Sequence, residues 1–201
     1  QRQMCIRDST TTVRASVGNW LVSKFIRENS EAKVIFNGDG SDEVCGGYMY
    51  FHAAPDSLEF DKECRRLLND IHFFDVLRSD RSISSHGLEA RTPFLDRSFV
   101  QNYLSIPHNI RYHPGKNQCE KYLLRKAFEE MSILPREVLF RTKEAFSDGV
   151  SKQSRSWYEI VQEYIVNTKG ERYSCLPANE AEKLYYKDVF DRHFPNHGHV
   201  I

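Results

Sequence analysis

Val34-Ile35-Phe36-Asn37-Gly38-Asp39-Gly40-Ser41-Asp42-Glu43 is a short apolar run ending in a two-glycine loop with three carboxylates in and just after it. Val34, Ile35 and Phe36 are β-branched or aromatic and bounded by turn residues, which predicts a buried strand. Gly38 and Gly40 permit positive φ and a close backbone approach. Ser41 is a good helix N-cap, and Asp42 and Glu43 suit the positive end of a helix dipole. Strand, glycine turn and helix start together can hold an anion, and the acids can hold a cation beside it. A plain strand-to-helix turn reads the same residues equally well. The loop is neither a dinucleotide fingerprint nor a P-loop, because the third glycine and the Gly-Lys-Ser/Thr ending are missing. Its carboxylate spacing also fails the calcium-loop pattern.

Around this turn, the preceding segment reads as a helix from about residue 12 to 28, burying Val13, Val17, Trp20, Leu21 and Phe25 at helical spacing. Helix, then strand, then a loop at the strand's carboxyl end is the α/β arrangement in which ligands bind at that end. Beyond the turn, the paired Gly46 and Gly47 interrupt a helical pattern and need close packing or a backbone contact to justify them. Residues 56–77 read as one amphipathic helix, and 78–87 as a polar connector. Pro93 disfavours helix at Thr92, and Asp96 is placed to cap a helix over about 97–104. Arg91 reads as a structural ion-pair partner or as a substrate-facing group.

Helices follow over about 118–131, from Pro135, and over about 154–166. The polar run Arg141-Thr142-Lys143-Glu144-Ala145-Phe146-Ser147-Asp148-Gly149 fits neither an amphipathic helix nor a strand, and functional residues concentrate in such loops. Taken alone, Lys143 is a surface lysine. Residues 167–177 read as a linker, and Asn179 with Glu182 as a capping box for a last helix. His197 and His199 lack a further ligand in register and read as a chain end.

With 28 basic and 28 acidic residues in 201, the formal net charge is zero, which gives no footprint for nucleic acid or an anionic membrane. No apolar run approaches a membrane span. Cys5, Cys45, Cys64, Cys119 and Cys175 are odd in number and widely spaced, without a CxxC pair, so neither a zinc site nor a disulfide framework is indicated. Reduced thiols and a cytoplasmic setting are expected, with Cys45 a packing residue.

Three blocks resemble the synthetase domain of glutamine-dependent asparagine synthetases. Val34 to Tyr48 is similar to the family's apolar–S-G-E-G-(S/A)-D-E…G-G-Y loop. The second block is Leu77-Arg78-Ser79-Asp80-Arg81 continuing through His86-Gly87-Leu88-Glu89-Ala90-Arg91-Thr92-Pro93-Phe94-Leu95-Asp96. The third is Arg141 to Gly149. The resemblance covers about residues 10–166, with 1–9 expected to be a foreign or disordered leader and 167–201 a variable linker, helix and tail. It implies an α/β fold, part of a nucleotide-binding ATP-pyrophosphatase-type (adenine nucleotide hydrolase-like) domain and mostly helical here.

The activity implied is ATP-dependent amidation of aspartate through a β-aspartyl-AMP intermediate. ATP and Mg2+ are the cofactors implied, and ammonia would come from glutamine at a glutaminase domain outside this chain. Small-molecule substrates are the implied partners, with no nucleic acid or membrane and a homodimer formed through the missing part. By position, Asp39 and Lys143 are the catalytic candidates, Asn37 and Gly38 the nucleotide-binding ones, and Asp42 the metal and pyrophosphate ligand. The family's S-G-G-x-D-S pyrophosphate loop is not in these residues, so the chain alone is expected to be inactive. Asp39 is one methylene shorter than the family Glu, and Asn37 replaces Ser. Other readings are a β-lactam synthetase-type adenylate-forming ligase and a non-catalytic helical remnant.

Overall fold

The computed structural model describes residues 10–116, 118–144 and 155–197. They fall into two compact units, 1–22 with 144–201 and 23–143. Helix α1, Thr10–Asn29, runs from the first into the second. Helices dominate the described residues, which contain one two-stranded sheet.

In the unit 23–143, β1 (Val34–Phe36) pairs in parallel with β2 (Glu89–Arg91), with Val34 opposite Glu89, Ile35 opposite Ala90 and Phe36 opposite Arg91. A parallel pair needs a crossover. Here the crossover carries α2 (Ser41–Cys45), a 3-10 turn at Met49–Ala53, α3 (Ser57–Asp70) and α4 (Asp75–Ser84). Asp56 caps α3 by accepting from the Leu58 and Glu59 amides. The single helix expected over 56–77 is instead broken by a 3-10 turn at Ile71–Phe73 and by Phe74 at φ −121°, ψ −109°. The helix then resumes through most of the stretch expected to be a connector. Thr92 lies outside the helical region before Pro93. Asp96 does cap α5 (Arg97–Ser105), accepting from the Ser98 and Phe99 amides. After α5 come α6 (His108–Arg111), α7 (Tyr122–Met131) and α8 (Arg136–Leu139).

Two expectations about burial fail. Phe36 is 80% exposed and Val34 45%, so β1 is a strand but not a buried one. On α1, Trp20, Leu21 and Phe25 are exposed as well. Parallel strands normally have both faces covered, whereas Phe36 stays largely open among the described residues.

The core of this unit sits behind the acidic turn. Val44, Cys45 and Tyr103 are buried against Phe99, Leu104, Leu123 and Leu124. Phe51, Phe60 and Cys64 form a second cluster with Tyr48, Leu67 and Tyr112. Cys45 is a packing residue, its thiol pushed up to about 11 by burial. Cys64 is pushed to about 12 for the same reason. Both are free, as are Cys119 and Cys175.

Arg111 is buried, donating to the Ile106 carbonyl at 2.9 Å and to Asp61, which Arg65 also bonds at 2.8 Å. Arg111→Met would leave Asp61 with the more exposed Arg65 alone. Breaking a buried pair costs about 3–5 kcal/mol, and the remaining partner puts this case near the lower figure. The expected outcome is a Tm lowered by about 6–12 °C, measured by thermal unfolding; a shift under about 2 °C on the same scale would show the pair to be dispensable.

In the other unit, α9 (Trp157–Thr168), α10 (Glu171–Ser174) and α11 (Ala178–His193) pack together, α10 lying inside the expected linker. Glu182 is not part of a capping box, since α11 begins after Pro177. It is fully buried, accepts from Arg14 of α1 and from Gln162 Nε2 at 2.9 Å, and ties the unit together. Residues 145–149 of the third block and His199 lie outside the described residues.

Candidate active site

The acidic turn begins where β1 ends. The Asn37 amide donates to the Arg91 carbonyl at 2.9 Å and continues the ladder one residue past the strand. Asn37 Oδ1 then accepts from the Asp39 amide at 2.6 Å, and its Nδ2 donates to Asp39 Oδ2 at 2.9 Å. This is an Asx turn closed by the acid's own carboxylate. Of the two glycines, Gly40 takes positive φ (89°) and Gly38 does not. The N-cap is Gly40 with no side-chain cap bond, so Ser41 is the first residue of α2 and not its cap. A Cβ on Gly40 would meet Leu95 at 2.3 Å, whereas one on Gly38 would meet nothing within 4 Å. Gly38 therefore faces open space, where a ligand could lie against the backbone.

Asp42 is the centre of the site. Lys143 Nζ donates to its Oδ2 at 2.9 Å, across 101 residues of sequence. Lys121 Nζ lies 3.0 Å from Oδ1 and donates to Ser41 Oγ at 2.8 Å. Burial works to raise the Asp42 pKa, but the two lysines outweigh it and hold the carboxyl below its usual range. A carboxylate whose pKa is lowered by folding adds stability above its unfolded value of about 4, and that stability is lost as pH falls through the folded one.

Beside this pair lies a second set of acids. The Tyr48 hydroxyl donates to Glu43 and sits 3.4 Å from Asp75 Oδ2. Arg78 pairs with Asp75. Burial raises the pKa of both carboxyls. The ring of Tyr48 also lies under Lys143 Nζ, 5.9 Å from its centroid, a cation–π contact that steadies the ammonium.

Asp42, Lys143, Asn37, Gly38 and Asp39 are thus carried on one turn and one facing lysine, although Asp39 bonds Asn37 and not either ammonium. Arg91 pairs with Glu89 on the exposed strand and stays outside the cluster. Reading the residues missed Lys121, Asp75 and the reason for Gly47. The sequence carries no signal for Lys121. It sits at φ 56°, ψ 27° just before α7, with its amine against Asp42 and Ser41.

No group of three or more His, Cys, Asp or Glu able to hold a metal occurs among the described residues. The donors still fit a hard cation shared with a ligand. Asp42 Oδ1 is buried with Lys121 Nζ 3.0 Å away as its ion-pair partner, and Mg2+ is commonly held by one or two carboxylates together with substrate phosphates.

An acid-tipped turn at the carboxyl end of a parallel strand, faced by two lysines, lies where α/β folds place their ligand sites. The family model for asparagine synthase matches residues 1–62 and 54–200, and the chain belongs to that family. It is 48% identical over 193 residues to chicken (Gallus gallus) asparagine synthetase [glutamine-hydrolyzing], covering 92% of this chain and 34% of that protein. To the human protein of the same name it is 47% identical over 196 residues, with the same coverage. The chain therefore spans about a third of the length of these relatives. None of its described helices is long and apolar enough to cross a membrane.

Proposed function

We propose that the chain supplies one wall of a synthetase active site in which ATP activates the side chain of aspartate as β-aspartyl adenylate and ammonia then displaces AMP to give asparagine. The observation that carries this reading is the Lys143–Asp42 contact, which joins the first and third family-like blocks at 2.9 Å. Attack of a carboxylate on an α-phosphate brings negative groups together, so charge neutralisation and alignment dominate the barrier. Lys143 places a fixed positive charge where the phosphates separate. Tyr48 holds that ammonium from beneath, and Asp42 keeps it oriented until substrate arrives. Gly38 leaves its side open for the nucleotide, while Asn37 and Asp39 brace the turn. Mg2+, held by Asp42 and the phosphates, would supply further charge neutralisation when bound.

The nucleotide-binding fold of ATP-pyrophosphatase type, the cytoplasmic setting, glutamine-derived ammonia and a homodimer belong to the same proposal, as do the domain limits 10–166 and 167–201. It is tested by aspartate-dependent ATP–pyrophosphate exchange in a polypeptide of the relatives' full length carrying this segment. Exchange together with asparagine is the expected result. Exchange without asparagine would point to an adenylate-forming ligase with another acceptor, and no exchange would leave the helical remnant.

A further inference from the structure

Lys121 has no part in the roles assigned above, yet the chain is built to deliver it. Three independent features converge on its amine. First, Lys121 is a non-glycine residue in the left-handed region (φ 56°), a conformation that persists where the surroundings impose it. Second, its side chain is mostly buried and ends at Asp42 Oδ1 (3.0 Å) and Ser41 Oγ (2.8 Å), both on the acidic turn 80 residues earlier. Third, the second of the paired glycines is accounted for by Lys121 together with Asp42. Gly46 takes positive φ and would strike Phe60, whereas Gly47 needs no positive φ; a Cβ there would lie 2.4 Å from Lys121 Cε and 2.1 Å from Asp42 Oδ1. The second glycine is the space that the lysine and its acid occupy.

The charge count then decides what the pair can do. Asp42 is one carboxylate set between two ammonium groups, Lys121 on Oδ1 and Lys143 on Oδ2. Within that trio two positive charges meet one negative, with Glu43 and Asp75 beside it, in a half-buried place where charge interactions are stronger than in water. Had Lys121 only to neutralise Asp42, Lys143 would already suffice.

We propose that Lys121 is a second phosphate-binding cation, for which Asp42 is the resting counter-ion: an incoming pyrophosphoryl group takes both lysines, and Asp42, so released, turns its buried oxygen to the accompanying divalent cation. The inference rests on the synthetase reading and adds a residue and an exchange of partners to it.

The experiment is binding of inorganic pyrophosphate, by titration calorimetry, to the polypeptide of the relatives' full length that carries this segment, with and without Mg2+, at low ionic strength. Without Mg2+, Lys121→Met weakens binding at least tenfold, Lys121→Arg largely restores it, and the exposed control Lys62→Met changes nothing. Asp42→Asn tightens metal-free binding, because both lysines lose their competitor, and removes the gain that Mg2+ gives the unaltered chain. A fold check by circular dichroism accompanies each variant. Unchanged affinity in Lys121→Met, weaker metal-free binding in a folded Asp42→Asn, or no pyrophosphate binding by the unaltered chain each overturns the proposal. If the full-length polypeptide still shows aspartate-dependent exchange in that event, the synthetase reading stands without it; absence of exchange is the separate failure of that reading.

Discussion

Lys143→Ala, introduced into the full-length polypeptide, is expected to lower aspartate-dependent ATP–pyrophosphate exchange about 100- to 1,000-fold while moving Tm by less than about 4 °C. The two figures follow from what the lysine does in each state. In the resting protein it forms one ion pair, about a quarter exposed, with an acid that Lys121 still holds from the other side. A partly exposed pair of this kind contributes about 0–1 kcal/mol. On the proposed synthetase function the same ammonium faces charge that develops on the phosphates during adenylation, and loss of one fixed charge-stabilising donor typically costs about 2.7–4 kcal/mol of barrier. The effect on rate therefore exceeds the effect on folding severalfold. Equal losses in exchange and stability, read by kinetics and thermal unfolding on the same preparations, would show Lys143 to be a structural partner of Asp42.

What the residues disclosed and what they concealed divide along a physical line. Local chemistry was legible: Val34–Phe36 is a strand, Asp96 caps α5, Cys45 is buried, and the acidic turn follows the strand directly. These depend on neighbours in sequence. Burial was not legible, because the apolar character of Phe36 and Phe25 says only that they can be covered. Glu182 shows the reverse error. A glutamate three residues after an asparagine fits a capping box, but Arg14, 168 residues earlier, claims it inside the protein. Lys121 marks the limit of pattern reading. Its sequence context is an ordinary helix start, and its place in the site rests on contacts with residues about 80 positions earlier and a left-handed backbone angle. Lys143 could be assigned only through the family-like block around it, since as a lone residue in a polar run it carries no signature.

Gly47→Ala should disable the site through a single methyl group. The backbone at Gly47 does not use the left-handed region, so alanine meets no conformational penalty there. Its Cβ instead falls 2.1 Å from Asp42 Oδ1 and 2.4 Å from Lys121 Cε, distances no real contact sustains. The long lysine can swing aside at little cost. Asp42 has a short side chain on a buried five-residue helix whose core neighbours Val44 and Cys45 do not yield. The carboxylate must therefore rotate away from both ammonium groups. A displacement of about 1 Å at a reacting centre costs about 100-fold in rate, while overpacking costs about 1–3 kcal/mol of stability. We expect exchange in the full-length polypeptide to fall about 100-fold or more, with Tm lower by about 2–8 °C. Gly46→Ala supplies the contrast: its Cβ would strike Phe60 at 2.3 Å in the second cluster and it starts from φ 64°, so its loss should be of stability first. Full exchange activity in a folded Gly47→Ala protein would mean that the positions of Asp42 and Lys121 do not govern the chemistry.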